Sequence, residues 1–122
     1  MEFYIRQTAT EPVLKLKVID DGTNDIATFN DLLESAEITF EMFDIKTGEH
    51  QILNAPCYLT NITKKYNQVT DDYYIVYQFS EVDTSLKGKF EGIVTIQFLD
   101  TDLNPTNKLI VPIKEKLFIN VV

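Results

Sequence analysis

One cysteine, Cys57, and one histidine, His50, are the residues of this 122-residue sequence that could supply a nucleophile and its base. A thiol attacks as its thiolate, which needs a neighbouring base or an electropositive setting. Cys57 lies in Ala55-Pro-Cys-Tyr-Leu-Thr60, where a small buried hydrophobe is the expected role. His50 follows the polar turn Lys46-Thr-Gly-Glu49, and nothing in the spacing pairs it with the thiol. Two carboxylate pairs, Asp20-Asp21 and Asp71-Asp72, invite an acid–base reading. Adjacent residues on a strand or turn point apart, so adjacency does not give the separation that glycoside hydrolysis needs. Both pairs read as turn residues.

Asp100-Thr-Asp-Leu-Asn104 begins like a calcium loop, with oxygen ligands at alternate positions. The sixth and twelfth places of such a loop require glycine and a bidentate acid, and here they hold Pro105 and Val111. A hairpin turn is the expectation. The four glycines of the chain form no phosphate-cradling loop. Exposed tyrosines stack on sugar rings, which makes Tyr73, Tyr74 and Tyr77, with Tyr66, candidates for a carbohydrate surface. Yet the run Tyr73-Tyr-Ile-Val-Tyr-Gln-Phe79 is apolar on both faces of a strand. A central strand covered on both sides, or one partly covered by a neighbouring subunit, accounts for it as well. No catalytic residue, cofactor or metal site is expected.

The elements that would carry these residues are short strands. Leu14, Leu16 and Val18 alternate with Lys15 and Lys17, as Ile38, Phe40 and Met42 alternate with Glu37, Thr39 and Glu41. This two-residue period is that of a half-buried strand. Further strands are expected at Glu2–Thr8, Gln51–Leu53, Cys57–Thr63, Tyr73–Phe79, Gly92–Phe98, Leu109–Ile113 and Leu117–Val122. Lys46-Thr-Gly-Glu49 is a hairpin signal, and Asp83-Thr with Gly88 supplies turn chemistry between the two most apolar runs. Phe29–Ala36 has a helical flavour, enough for a turn or two. The segments between strands are too short for crossover helices, so the sheets should be largely antiparallel. Leu117-Phe-Ile-Asn-Val-Val122 would invite aggregation at an open edge, so it belongs inside a sheet or beneath another chain.

Length and composition fit a single globular domain over residues 1–122, able to bury a core without disulfides. The formal charge is −8, which repels nucleic acid and anionic lipid and makes both poor partners. Residues 1–50 carry a net of −7, against −1 for the remainder. The N-terminal half is either a set of solvated turns or a docking face for a basic partner. Met1-Glu-Phe-Tyr-Ile-Arg6 lacks the apolar run of a signal peptide, and no run is long enough to span a membrane. Residence in a cytoplasm, or in a particle assembled there, is the expectation.

The order of these features resembles the immunoglobulin-like N-terminal domain of phage baseplate upper proteins and related small Ig-like phage proteins. The resemblance covers essentially the whole chain. It rests on Phe3-Tyr-Ile-Arg-Gln7 with Pro12, Asp31-Leu-Leu-Glu-Ser-Ala36 leading into Ile38-Thr-Phe40, and Asp44-Ile-Lys-Thr-Gly48. Val76-Tyr-Gln-Phe79, Asp83-Thr84 and Gly88-Lys-Phe-Glu91 are its most specific part, and Pro112 with Ile119-Asn-Val121 fits the ending. Glu34-Ser35 stand where the family commonly has a glycine, and the corner from Asp83 to Gly88 is slightly long. Within residues 1–122 no coiled coil or receptor-binding module is expected, so the full role of a baseplate protein is not implied.

The resemblance implies an all-β, immunoglobulin-like antiparallel sandwich of about seven to nine strands. It also implies a non-enzymatic virion building block: a tail, baseplate or neck adaptor, or a capsid decoration. Other virion proteins would be its partners, in multiple copies within a symmetric assembly. Asp20, Asp21, Asp25 and Asp31, together with Tyr73 and Tyr77, are the candidate docking residues. A binding module for host glycan or surface protein is the alternative function.

Overall fold

The computed structural model describes residues 1–17, 33–62 and 72–122. They form nine strands: β1 (Glu2–Ile5), β2 (Leu14–Lys17), β3 (Glu37–Asp44), β4 (His50–Pro56), β5 (Tyr58–Ile62), β6 (Asp72–Tyr77), β7 (Gly88–Leu99), β8 (Pro105–Val111) and β9 (Leu117–Val121). Strands make up 57%, and the described residues hold no helix beyond the two-residue end at Leu33–Glu34, so the expected all-β class holds. Of the helical Phe29–Ala36 segment, residues 29–32 lie outside the described residues. Its described end starts with Leu33 and Glu34 in helical conformation and closes in a turn, the Ala36 amide donating to the Leu33 carbonyl at 3.1 Å.

Two antiparallel-dominated sheets stack as a sandwich. The larger runs β1-β9-β7-β3-β4 with β8 also on β7, and the smaller runs β2-β6-β5. β7 organises the larger sheet because it is 12 residues long. One of its edges pairs along its length with β3, Phe40 lying opposite Val94. Its other edge is shared: Gly88–Gly92 pair with β9, and Val94–Leu99 pair with β8. β1 joins the far side of β9 in parallel, Glu2 opposite Phe118 and Ile5 opposite Val121. This parallel pair is the exception to the expected antiparallel order. It places β9 between two strands, which is the interior position expected for the uncharged C-terminal run.

Alternation builds the core. Phe90, Val94, Ile96 and Phe98 of β7, Ile38, Phe40 and Met42 of β3, and Leu117, Ile119 and Val121 of β9 are all buried. Phe40 is fully buried; its ring centroid lies 4.6 Å from that of Tyr77 and 6.2 Å, edge-on, from that of Phe79. The smaller sheet thus meets the larger through aromatic packing. Gly92 makes this possible, because a Cβ there would stand 3.0 Å from Phe40 Cε1 and 3.2 Å from Leu117 Cδ2. Phe40 is clamped by Tyr77 and Phe79 and cannot yield, so Gly92→Ala should cost about 1–2 kcal/mol as overpacking. A urea midpoint equal to that of the parent would contradict this packing.

The turns follow their sequence signals. Asp44 Oδ1 accepts the amides of Lys46 and Thr47, and Gly48 at φ 74° completes the β3–β4 hairpin. Asp100 Oδ1 accepts the amides of Asp102 and Asn104, so the calcium-like stretch is the β7–β8 hairpin. β1 stops at Ile5, short of the expected Thr8, which adopts φ 65° and breaks the extended path. The corner between β6 and β7 is anchored by Thr84, which is fully buried and donates its hydroxyl to the Ala9 carbonyl at 2.8 Å.

Candidate functional site

The residues with nucleophile and base chemistry end up in unrelated roles. His50 Nε2 lies 2.9 Å from Glu41 Oε2 on neighbouring strands, and its ring tilts against Phe43. Cys57 links β4 to β5 and packs against the core. Burial pushes its thiol up to about 12, the opposite of what a nucleophile requires. Cys57 is half-buried, so of the expected role as a small buried hydrophobe the packing against the core holds and full burial does not. Among the described residues no three His, Cys, Asp or Glu side chains converge as a metal set.

The Cys57 thiol also makes a prediction. Its folded value lies above the unfolded value of about 8.5, so the folded state keeps a proton that the unfolded chain releases. The associated stability is intact below about pH 8.5 and declines as pH rises toward 12. The urea midpoint should therefore fall more steeply between pH 9 and 11 in the parent than in Cys57→Val. Equal slopes would remove the thiol from this role.

Of the docking residues nominated from sequence, only Tyr77 has a side chain among the described residues. Asp20, Asp21, Asp25, Asp31 and Tyr66 lie outside the described residues. Tyr73 pairs through its backbone with Asn61, and its side chain is likewise outside them. Tyr77 corrects its nomination: it is 6% exposed, and its hydroxyl donates to Asp83 Oδ2 at 2.6 Å. Burial and the Asp83 carboxylate both push that hydroxyl upward. Asp83 also accepts the Ser80 amide, so this pair holds the corner rather than a ligand. β6 is the centre of its sheet with Ile75, Val76 and Tyr77 all buried, as a strand apolar on both faces should be.

The exposed feature that sequence reading missed lies at one side of the sandwich. On the opposite side the chain passes directly from β4 to β5, each an edge of its own sheet. Here β8 flanks the larger sheet and β2 the smaller, and a groove of about 420 Å³ opens between them. Leu16, Ile75, Ile96, Leu109, Val111 and Ile113 are among its lining residues, together with Lys15 and Lys17. On β8, Leu109 and Val111 are half-buried whereas Lys108 and Ile110 are exposed, so the strand shows one face to the groove and one to solvent. Ile110 is 53% exposed and Ile113 is 75% exposed. Among the described residues the outer edge of β8 has no strand beside it.

Charge around this edge differs from that on the interior strands. Lys89 Nζ pairs with Glu2 Oε1 at 2.9 Å and lies over the Phe118 ring, and Lys116 pairs with Glu91 at 3.6 Å. Hydrogen bonds from Asn120 and then Lys89 hold the Glu2 carboxyl below its ordinary value, tying β1 to β9 and β7. Lys108 and Lys114 have no ion-pair partner among the described residues. Lys15 rests its ammonium 5.4 Å above the Tyr74 ring. The signal legible in the sequence was Lys108-Leu-Ile-Val-Pro-Ile-Lys114, an apolar run with a lysine at each end, whose edge position needed the pairing of β7 to be known.

No protein-family model matches this chain, and neither the curated proteins nor the solved structures yield a relative.

Proposed function

We propose that this chain is a non-enzymatic structural protein that acts by assembly, as a building block of a bacteriophage particle. The observation that carries the assembly reading is β8: an edge strand with exposed Ile110 and, just beyond it, exposed Ile113, beside an apolar groove. Open edges that carry apolar side chains are templates for another chain, and natural proteins retain them where a partner covers them. A stiff sandwich holds such an edge in fixed geometry, which suits repeated docking in a symmetric ring or lattice. The raised Cys57 thiol and the anchoring role of Tyr77 and Asp83 support a structural use of groups that could otherwise suggest chemistry or ligand contact.

The phage assignment rests on the resemblance carried by Val76–Phe79, Asp83-Thr84 and Gly88–Glu91. Quantitative mass spectrometry of particles purified from the host carrying the gene tests it. The chain should co-purify in fixed ratio to the major capsid protein, on the order of a dozen copies for a tail or neck part and hundreds for a decoration. Its absence from particles, with the protein free in the lysate, would overturn the reading.

A further inference from the structure

We infer that the outer edge of β8 is the docking site for an extended segment of a partner protein, alternating apolar and acidic residues, which pairs as an added strand of the larger sheet. The inference rests on the assembly reading and names the partner's chemistry. β8 offers seven residues, Pro105–Val111, an edge of about 23 Å. Backbone pairing supplies affinity in such additions and alternate side chains supply specificity. On the groove side, Leu109 and Val111 continue into the apolar surface shared with Leu16 and Ile96, so every second partner residue must be apolar. On the outer side stand Lys108 and Ile110, and Lys114 follows, exposed, in the bend beyond the strand.

These lysines decide the occupant. The chain carries 19 acidic residues against 11 basic. Lys108 and Lys114, like Arg6, Lys15, Lys46 and Lys87, have no ion pair among the described residues, but these two alone lie on and just beyond the β8 edge. A lysine at the middle of an edge strand opposes pairing with a second copy, since an antiparallel self-pair brings the two Lys108 ammoniums close together. A partner carboxylate at the same place meets a cation with no ion pair among the described residues.

The test uses the full-length, isotope-labelled protein and two capped heptapeptides, one alternating Glu with Val and one alternating Lys with Val. The Glu–Val peptide should bind saturably with a Kd below about 1 mM and slow amide exchange along β8; the Lys–Val peptide should not bind. The double variant Lys108→Glu, Lys114→Glu should keep its thermal midpoint, weaken Glu–Val binding at least about tenfold and take up the Lys–Val peptide. Both lysines are exposed, so folding is not at stake. Equal binding of the two peptides, no saturable binding of the Glu–Val peptide up to several millimolar, or protection confined to other strands would overturn the inference. So would a concentration-dependent dimer that protects β8. Incorporation of the double variant into particles at the parental level would reject β8 as the docking edge while leaving assembly standing; absence of the parent from particles would reject assembly itself.

Discussion

A chain ending at Lys116 does not fold. Removing residues 117–122 takes away β9, whose Leu117, Ile119 and Val121 are 2%, 0% and 3% exposed. Each buried aliphatic side chain contributes about 1.5–3 kcal/mol, so the three together approach the whole stability of an ordinary domain, about 5–15 kcal/mol. The loss extends to both neighbours. β1 pairs with β9 along Glu2–Ile5, and β7 pairs with it along Gly88–Gly92, so two rows of backbone groups lose their partners. The expected circular dichroism melt of the shortened chain has no cooperative transition, and its amides exchange within minutes. A sigmoidal melt within a few degrees of the parent would show that the sheet does not depend on β9.

Phe40→Ala destabilises by about 3–5 kcal/mol, the range for a fully buried aromatic cut to alanine. The ring sits opposite Val94, against Tyr77 and edge-on to Phe79, so its removal opens a cavity at the contact between the two sheets. A midpoint fall of roughly 10–20 °C follows for a domain of this size. Phe40→Leu retains most of the buried apolar volume and should lose less than half as much. Because Gly92 lies against the same ring, Phe40→Leu combined with Gly92→Ala should be less damaging than the two separate costs added. Strict additivity would deny that the two positions share one space.

Much of the architecture was legible because alternation is a local property. Ile38, Phe40 and Met42 declare a buried face by their period, and residues 73–79 declare a central strand by being apolar on both faces. Asp44, Gly48 and Asp100 announce their hairpins through short-range hydrogen bonds formed within a few residues. The interior place of β9 followed from the cost of exposing such a run.

What escaped depends on partners distant in sequence. Nothing near Glu2 foretells that it will run parallel to Phe118, or that its carboxylate will collect Asn120 and Lys89. The length of β7 was underestimated because Gly88-Lys-Phe90 carries turn residues, yet pairing with β9 extends the strand through them. Tyr77 looked like a surface candidate and a core candidate at once; Asp83, six residues on, settles it by accepting the hydroxyl. The β8 groove was invisible for the same reason. Leu109–Ile113 reads as one more short strand until β7 is seen to divide one edge between β8 and β9.

Carbodiimide cross-linking of intact particles, read by mass spectrometry, tests the account most directly, because it joins lysines to carboxylates only where they already touch. Amide links from Lys108 or Lys114 to an Asp or Glu of another particle protein, lost on charge reversal of those lysines, are the predicted result. Particles that contain the chain but link it solely through other faces would contradict the β8 edge, and particles that lack it would contradict assembly.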